Sequence, residues 1–527
     1  MSIEAWLDAA TRDADTRGLH ALRPLLEGLA QSTALLRGAD FNSSARGRAA
    51  DREPRGEAPP AVARRADTLA GAPAAGRPGP ALPTIDVVAR RLRAGETTSV
   101  ALTEACLEAI AVQDERLNAF VLVTADEARQ RAQDADAELA AGQDRGPLHG
   151  IPISLKDLFD VRGRATTAGS NVRQQDVSAY DAPAVVQLRQ AGAVLIGKTN
   201  LHEFAFGTTN EDSAFGPSRH PLDPARSPGG SSGGSAVSVA AGMAFASLGT
   251  DTGGSIRIPS SACGLVGLKP TAGEVSTDGV VPLSQTLDHV GPLARSVTDA
   301  WYVHQALVGR SMPRPLAAAP PAGLRLAVPR RYFCDLLQPD VRSAFDRTVS
   351  TLMSAGARVD EIDIAHADYI ASIYLQIVFS EAAAYHASTL EAMPDRYTPP
   401  VRIRLEMARY VLAEDYLRAM SGRATLRREV DAALGWHDAL ILPTLPIVAP
   451  VLGEPMADIG GAPHPVRNVM LRLTQLFNIT GHPAVSLPCG HASDGLPVGL
   501  QVVGRRHETD ALMRVALGIE RTIATPA

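Results

Sequence analysis

The stretch SPGGSSGGSAVS, residues 227–238, places four glycines and five serines in twelve positions. Its residue types allow three roles: a flexible linker, a cradle of backbone N–H groups for phosphate, or the wall of a site in which serine hydroxyls react. Two local patterns can be weighed at once. GAVLIGKT, Gly192–Thr199, satisfies the phosphate-loop expression GxxxxGK[ST] letter for letter. Between its glycines stand Ala193, Val194, Leu195 and Ile196, which suit a buried strand and not a loop of converging N–H groups. Residues 229–233 match the GxSxG nucleophile elbow, but that elbow must follow a strand directly. The preceding RHPLDPARSP carries Pro221, Pro224 and Pro228, which a central strand does not accommodate.

Joining distant pieces is more informative. GIPISLKDLFDVRG (150–163), SPGGSSGGSA (227–236) and LGTDTGGSIRIPSSACGLVGLKPT (248–271) together resemble the amidase signature family. The likeness extends from about Val87 to Leu517, through APAVVQLRQAGAVLIGKTNLHEFA and FNITGHPAVSLPCG. It implies an α/β fold, a single large domain with a twisted mixed β-sheet covered by helices on both faces. It also implies a hydrolase of carbon–nitrogen bonds that uses no cofactor and no metal. Carried over position by position, the family's catalytic lysine is Lys156, the serine that follows a cis peptide bond is Ser231, and the nucleophile is Ser255. Ser231 and Ser255 are 24 residues apart, which is the family's spacing.

The chemistry agrees with these residue types. An amide is a poor electrophile with a poor leaving group, so the serine must lose its proton as it attacks and the amine must gain one as it leaves. With no histidine in the trio, Lys156 is the base, and it can serve only if burial makes its neutral form accessible near pH 7. Ile151, Ile153 and Leu155 lead into it as strand residues; Asp157 follows and in a strand points to the opposite face. Ser231 relays the proton between Lys156 and Ser255, with Ser232 as a supporting hydroxyl. The DTGGS segment offers the N–H groups of Thr252, Gly253, Gly254 and Ser255 to an oxyanion. Asp251 and Arg257 flank it and read as a buried ion pair that holds the loop. His149 and His482 stand beside Gly or Pro in turn-like segments and read as structural histidines. HEFAF, His202–Phe206, begins like a zinc motif and lacks the second histidine.

A large core must position these groups, and 527 residues at 45% hydrophobic can supply it. Lys and Arg number 51 against 57 Asp and Glu, for a net charge of -6 with no long run of like charge. Such a balance favours small neutral or weakly polar partners over nucleic acid. The resemblance implies a small amide substrate and water as partners, with no nucleic acid directly and no membrane. Residues 84–527 are expected to form the catalytic domain, with helices near 84–94, 99–114 and 126–141. Strands are expected at 151–155, 193–196, 439–444, 484–489 and 498–504. A mainly helical block at about 339–436 shapes the substrate pocket in this family, and here it carries Tyr369, Tyr374, Phe379, Tyr385 and Tyr397. Upstream, residues 1–41 read as an N-terminal helical segment and 42–83 as a Pro/Ala/Gly/Arg-rich linker. The charge-free run 227–250 exceeds a bilayer span, but its first half is Gly and Ser, so it reads as buried interior. Cys106, Cys263, Cys334 and Cys489 form no CxxC or zinc spacing, and Glu4 and Asp8 stand where a secretory signal is basic. The expected compartment is the cytoplasm.

Members of this family act as free amidases or as the A-type glutaminase component of tRNA-dependent amidotransferases. These glutaminases usually carry an acidic residue shortly before the segment matching NITG, where it recognises the glutamine amino group. Here MLRLTQLFNITG offers Leu471 and no carboxylate from Met470 to Gly481. A free amidase working through an acyl-Ser255 intermediate is therefore the expectation. The glutaminase of an amidotransferase, or a hydrolase of urea-like amides of the biuret or allophanate type, stands as the alternative. The N-terminal helices suit docking of a small helical partner or packing on a second copy as a homodimer.

Overall fold

The computed structural model describes residues 1–41 and 82–524. The stretch read as a linker, 42–83, lies outside the described residues apart from Leu82 and Pro83.

The strands are β1 (Phe120–Val123), β2 (Pro152–Lys156), β3 (Val194–Thr199), β4 (Ala246–Thr250), β5 (Val266–Lys269), β6 (Val290–Ala294), β7 (Arg325–Pro329), β8 (Arg358–Ile362), β9 (Ala439–Pro443), β10 (Met456–Ile459), β11 (Ala462–Pro465), β12 (Ala484–His491) and β13 (Pro497–Val503). Among the described residues, eleven of them form one sheet in the order β1-β3-β2-β4-β6-β5-β12-β13-β9-β7-β8, and β10 pairs with β11 as a separate hairpin. Pairing is parallel in β3-β2-β4 and in β9-β7-β8. The remaining neighbours are antiparallel. This is the mixed α/β sheet that the sequence implies.

Strands inside a parallel unit are covered on both faces and must be apolar along their whole length. Every residue of β2, β3 and β4 is buried accordingly. Ser154, the polar residue in the middle of β2, shares a 2.9 Å hydrogen bond with Ser238, so its burial leaves no hydroxyl unsatisfied. Residues 227–239 are buried without a break, and the helix Gly233–Ala240 and β4 take up most of the charge-free run. Among the described residues no helix is long and apolar enough to cross a membrane.

The stretch 339–436 holds the helices Pro339–Ser354, Ile370–Ala392, Pro399–Ala408 and Ala413–Trp436, and also strand β8 at the edge of the sheet. The sequence reading misses β8 because none of its residues, RVDEI, is buried, so the segment has no apolar run to announce it.

The N-terminal helices Ile3–Thr16 and Arg23–Arg37 bury Ala10, Ala14, Leu26, Leu29 and Leu36. Their partners are the chain's own helices. Arg37 donates to both carboxylate oxygens of Asp415 at 2.7 Å, Gln376 donates to the Thr33 hydroxyl at 2.8 Å, and the Trp6 indole donates to the Tyr410 carbonyl at 3.1 Å. The apolar residues that these helices bury are thus covered from within the chain.

Candidate active site

Lys156 closes β2 at the carboxyl end of the parallel unit, where sites in such sheets are usually built. It is fully buried, and its Nζ donates to Ser231 Oγ and to Thr250 Oγ1, both at 2.8 Å. Thr250 ends the neighbouring strand β4. Burial pushes the Lys156 ammonium from 10.5 down to about 7, against the opposing pull of Asp288 and Asp251. Asp157, next in sequence, pairs instead with Lys198 of β3 at 2.5 Å. The lysine of the apparent phosphate loop is therefore the buried partner of an acid, and the carboxylate that follows Lys156 in sequence is taken up by Lys198.

The Gly230–Ser231 peptide is cis. One residue on, Ser232 donates its N–H to the Ser255 carbonyl at 3.3 Å and its hydroxyl to the Thr250 carbonyl at 3.2 Å, which ties the two Gly/Ser segments together. The glycines here serve close packing. A Cβ on Gly234 would stand 2.5 Å from the carbonyl oxygens of both Ala119 and Asn200. Among the described residues the hydrogen bonds of Lys156 reach Ser231, and no bond between the Ser231 and Ser255 hydroxyls completes the chain.

A buried ion pair flanks the loop from Asp251 to Ser255. Arg257 donates to both Asp251 oxygens at 2.9 and 3.0 Å, and both side chains are fully buried. Its remaining donors reach Gln501 at 2.6 Å, Asn478 at 2.6 Å and the Thr474 carbonyl at 3.0 Å. Burial alone would raise the Asp251 carboxyl, but Arg257 holds it well below the usual carboxylate range. Removing one partner of such a pair leaves a buried charge, so Arg257→Met should cost about 3–5 kcal/mol in urea denaturation. An unchanged denaturation midpoint would refute that role.

The N–H groups of Thr252, Gly253, Gly254 and Ser255 make no hydrogen bond among the described residues, which leaves four donors for an incoming oxyanion. Gly254 has φ +143°, a backbone conformation that side chains rarely adopt, and a Cβ there would stand 2.3 Å from Thr474 Oγ1. Gly254→Ala should displace these donors and lower kcat by about 100-fold or more, the scale of one lost oxyanion donor. A change under about threefold in steady-state kinetics would show that the loop does not serve in this way.

A family model described as Amidase matches residues 101–513. The chain belongs to the amidase family. It is 40% identical over 452 residues to an amidase of Pseudomonas putida, covering 83% of this chain and 95% of the relative. It is 35% identical over 481 residues to the A-type subunit of the glutamyl-tRNA(Gln) amidotransferase of Koribacter versatilis, covering 84% and 98%. Among solved structures it resembles one from a vestigial protein complex linked to the origins of an s-triazine catabolic enzyme. There the identity is 34% and the TM-score 0.78, over 83% of this chain and 98% of the other. The family match begins at residue 101, so the N-terminal helices lie outside it.

Around these groups stand residues that the sequence alone does not single out. Thr250 is the second acceptor of Lys156, Asp288 accepts from the Thr252 hydroxyl at 2.5 Å and from the N–H groups of Leu283 and Ser284, and desolvation pushes its carboxyl up to about 6. Asn478 donates to both the carbonyl and the carboxylate of Asp251 at 2.8 Å, and Thr474 donates to the Gly253 carbonyl at 2.5 Å. These two lie in the TQLFNITG run, but nothing local to that run points to Asp251. The histidines take structural partners: His149 contacts Glu138 at 2.9 Å, His482 contacts Asp431 at 3.0 Å, and His202 contacts Asp212 at 3.2 Å.

A cavity of about 340 Å³ adjoins the loop. Tyr374 and Leu471 line it, and the same two side chains lie against Gly253, where a Cβ would stand 2.5 Å from the tyrosine oxygen and 3.0 Å from Leu471. Of the aromatic residues noted in the helical block, Tyr374 and Phe379 face this cavity. Tyr385 instead accepts from Arg173 at 3.2 Å, Tyr397 shares a 3.0 Å bond with His386, and Tyr369 packs on Phe41.

Proposed function

We propose that this chain hydrolyses a carboxamide C–N bond to a carboxylate and an amine or ammonia, through an acyl-Ser255 intermediate. Neutral Lys156 takes the Ser231 hydroxyl proton while Ser231 takes that of Ser255, whose oxygen attacks the carbonyl carbon. The N–H groups of Thr252 to Ser255 hold the oxyanion. The proton returns by the same route to the leaving nitrogen as the C–N bond breaks. Water then attacks the ester carbonyl and gives its proton to the same relay; as the C–O bond to Ser255 breaks, the relay returns that proton to the Ser255 oxygen and the acid leaves. Ser232, Asp251 and Arg257 hold the two loops in place.

The observation that carries this reading is Lys156, buried, bonded to Ser231 and titrating at about 7, so that its neutral form is available at working pH. Leu471 on the cavity wall supports a free amidase over the glutaminase of an amidotransferase, because an apolar side chain there offers nothing to a glutamine amino group. Four free cysteines support a reducing cytoplasm, and the partners required are a small amide and water. The test is a serine-directed fluorophosphonate with intact-mass analysis and peptide mapping: one adduct, on Ser255, is expected.

A further inference from the structure

We propose that the cavity beside Gly253 is an anion subsite, in which Arg467 binds a carboxylate that the substrate carries away from its scissile bond. In calling the ligand a substrate, this rests on the hydrolase reading above. Among the described residues two arginines, Arg467 and Arg472, line the cavity, and no Asp or Glu does. Arg472 is already engaged. It donates from Nε and Nη2 to the Tyr332 carbonyl at 3.1 and 2.9 Å, and its guanidinium lies 3.8 Å over the Tyr332 ring.

Arg467 has no such employment. Among the described residues its Nε is buried without a hydrogen-bond partner and it forms no ion pair; its guanidinium stands 5.7 Å from the Phe206 ring centroid. Burial pushes it down to about 10, and the nearby cation Arg404 adds to the effect, with Tyr374 opposing. Arg404 is itself satisfied by Asp212 at 3.2 Å and the Phe206 carbonyl at 2.8 Å. A desolvated cation beside a like charge, with no carboxylate paired to it among the described residues, is costly in the free protein, and that cost is offset when an anion enters. The planar guanidinium fork matches a carboxylate in particular.

A second unsatisfied group faces the same space. Ser32 Oγ, on the N-terminal helix Arg23–Arg37, is buried without a partner, and Ser32 and Gly28 line the cavity. The subsite is thus walled in part by a helix that lies outside the family match. Tyr374 spans from this cavity to Gly253, so one ligand can touch both ends.

The experiment compares kcat/KM for glutaramic and adipamic acids against pentanamide and hexanamide. The wild type should favour the acid member of each pair by about 30-fold or more, the scale of one hydrogen-bonded charge. Arg467→Met should bring that ratio to about one, Arg467→Lys should recover part of it, and Ser32→Asp should collapse it by placing a fixed carboxylate in the cavity. Calorimetric binding of glutarate to wild type and Arg467→Met reads the subsite without turnover. A ratio near one in the wild type, or a preference and glutarate affinity that survive Arg467→Met, overturns the proposal. If no amide turns over and Ser255 takes no label, yet glutarate binds through Arg467, the subsite stands and the hydrolase reading falls. Should Arg467→Met fail to fold, Ser32→Asp and Arg467→Lys decide the matter by the same ratio.

Discussion

Ser255→Ala is expected to lower kcat by about 10⁴-fold or more and to leave the thermal unfolding midpoint within a few degrees of the wild type. The argument for both halves is local. Acyl transfer cannot begin without the Ser255 oxygen, and residual rates come only from binding and the oxyanion donors. The loop that carries Ser255 is fixed by Asp251, Arg257, Asn478 and Thr474, none of which contacts its hydroxyl, so deleting that oxygen removes no structural bond. The variant should also lose the fluorophosphonate adduct. Turnover that persists in purified Ser255→Ala, or an adduct that maps elsewhere in the wild type, would assign the nucleophile to another residue.

Lys156→Met should likewise depress the rate by several orders of magnitude, and it should make the protein more stable at neutral pH and below. The folded lysine releases its proton at about 7, whereas the unfolded chain keeps it to 10.5. Between those values the unfolded state binds the extra proton, so wild-type stability rises with pH across that window, and below it the folded protein bears the full cost of a buried ammonium. Methionine removes that cost. The variant's advantage should be a few kcal/mol below about pH 7 and fade toward about pH 10, as read by urea denaturation at both ends. In the wild type, kcat/KM should rise with pH through a limb near 7, as the neutral amine appears. Asp288→Asn removes a carboxylate that favours the ammonium, so it should shift the limb to lower pH. A flat profile, or a Lys156→Met variant less stable than wild type at neutral pH, would remove Lys156 as the base.

Much of the candidate site is legible in the sequence because its residues lie in short, glycine-rich runs whose residue types have few other uses. Lys156 meets Ser231, and Asp251 pairs with Arg257; the nucleophilic role of Ser255 belongs to the proposed function. Thr250 and Asp288 are different. Each acts across a gap of dozens of residues in the chain, through strand β4 or the turn before β6, and a lone threonine or aspartate gives no local sign of such a partner. The same limit hides β8, whose side chains carry no apolar pattern, and it hides Arg467, which is informative only because its Nε lacks a partner and it forms no ion pair among the described residues. The N-terminal helices are legible as helices from their leucine spacing, but their place against Asp415, Gln376 and Tyr410 is a matter of tertiary docking.

That docking changes how the enzyme responds to dilution. A cavity wall supplied by a separate polypeptide would leave at low concentration, and specific activity would fall with it. Here Gly28 and Ser32 belong to the same chain as Ser255, so the wall is present at a fixed local concentration however few molecules there are. Placing that part of the wall is a step of folding.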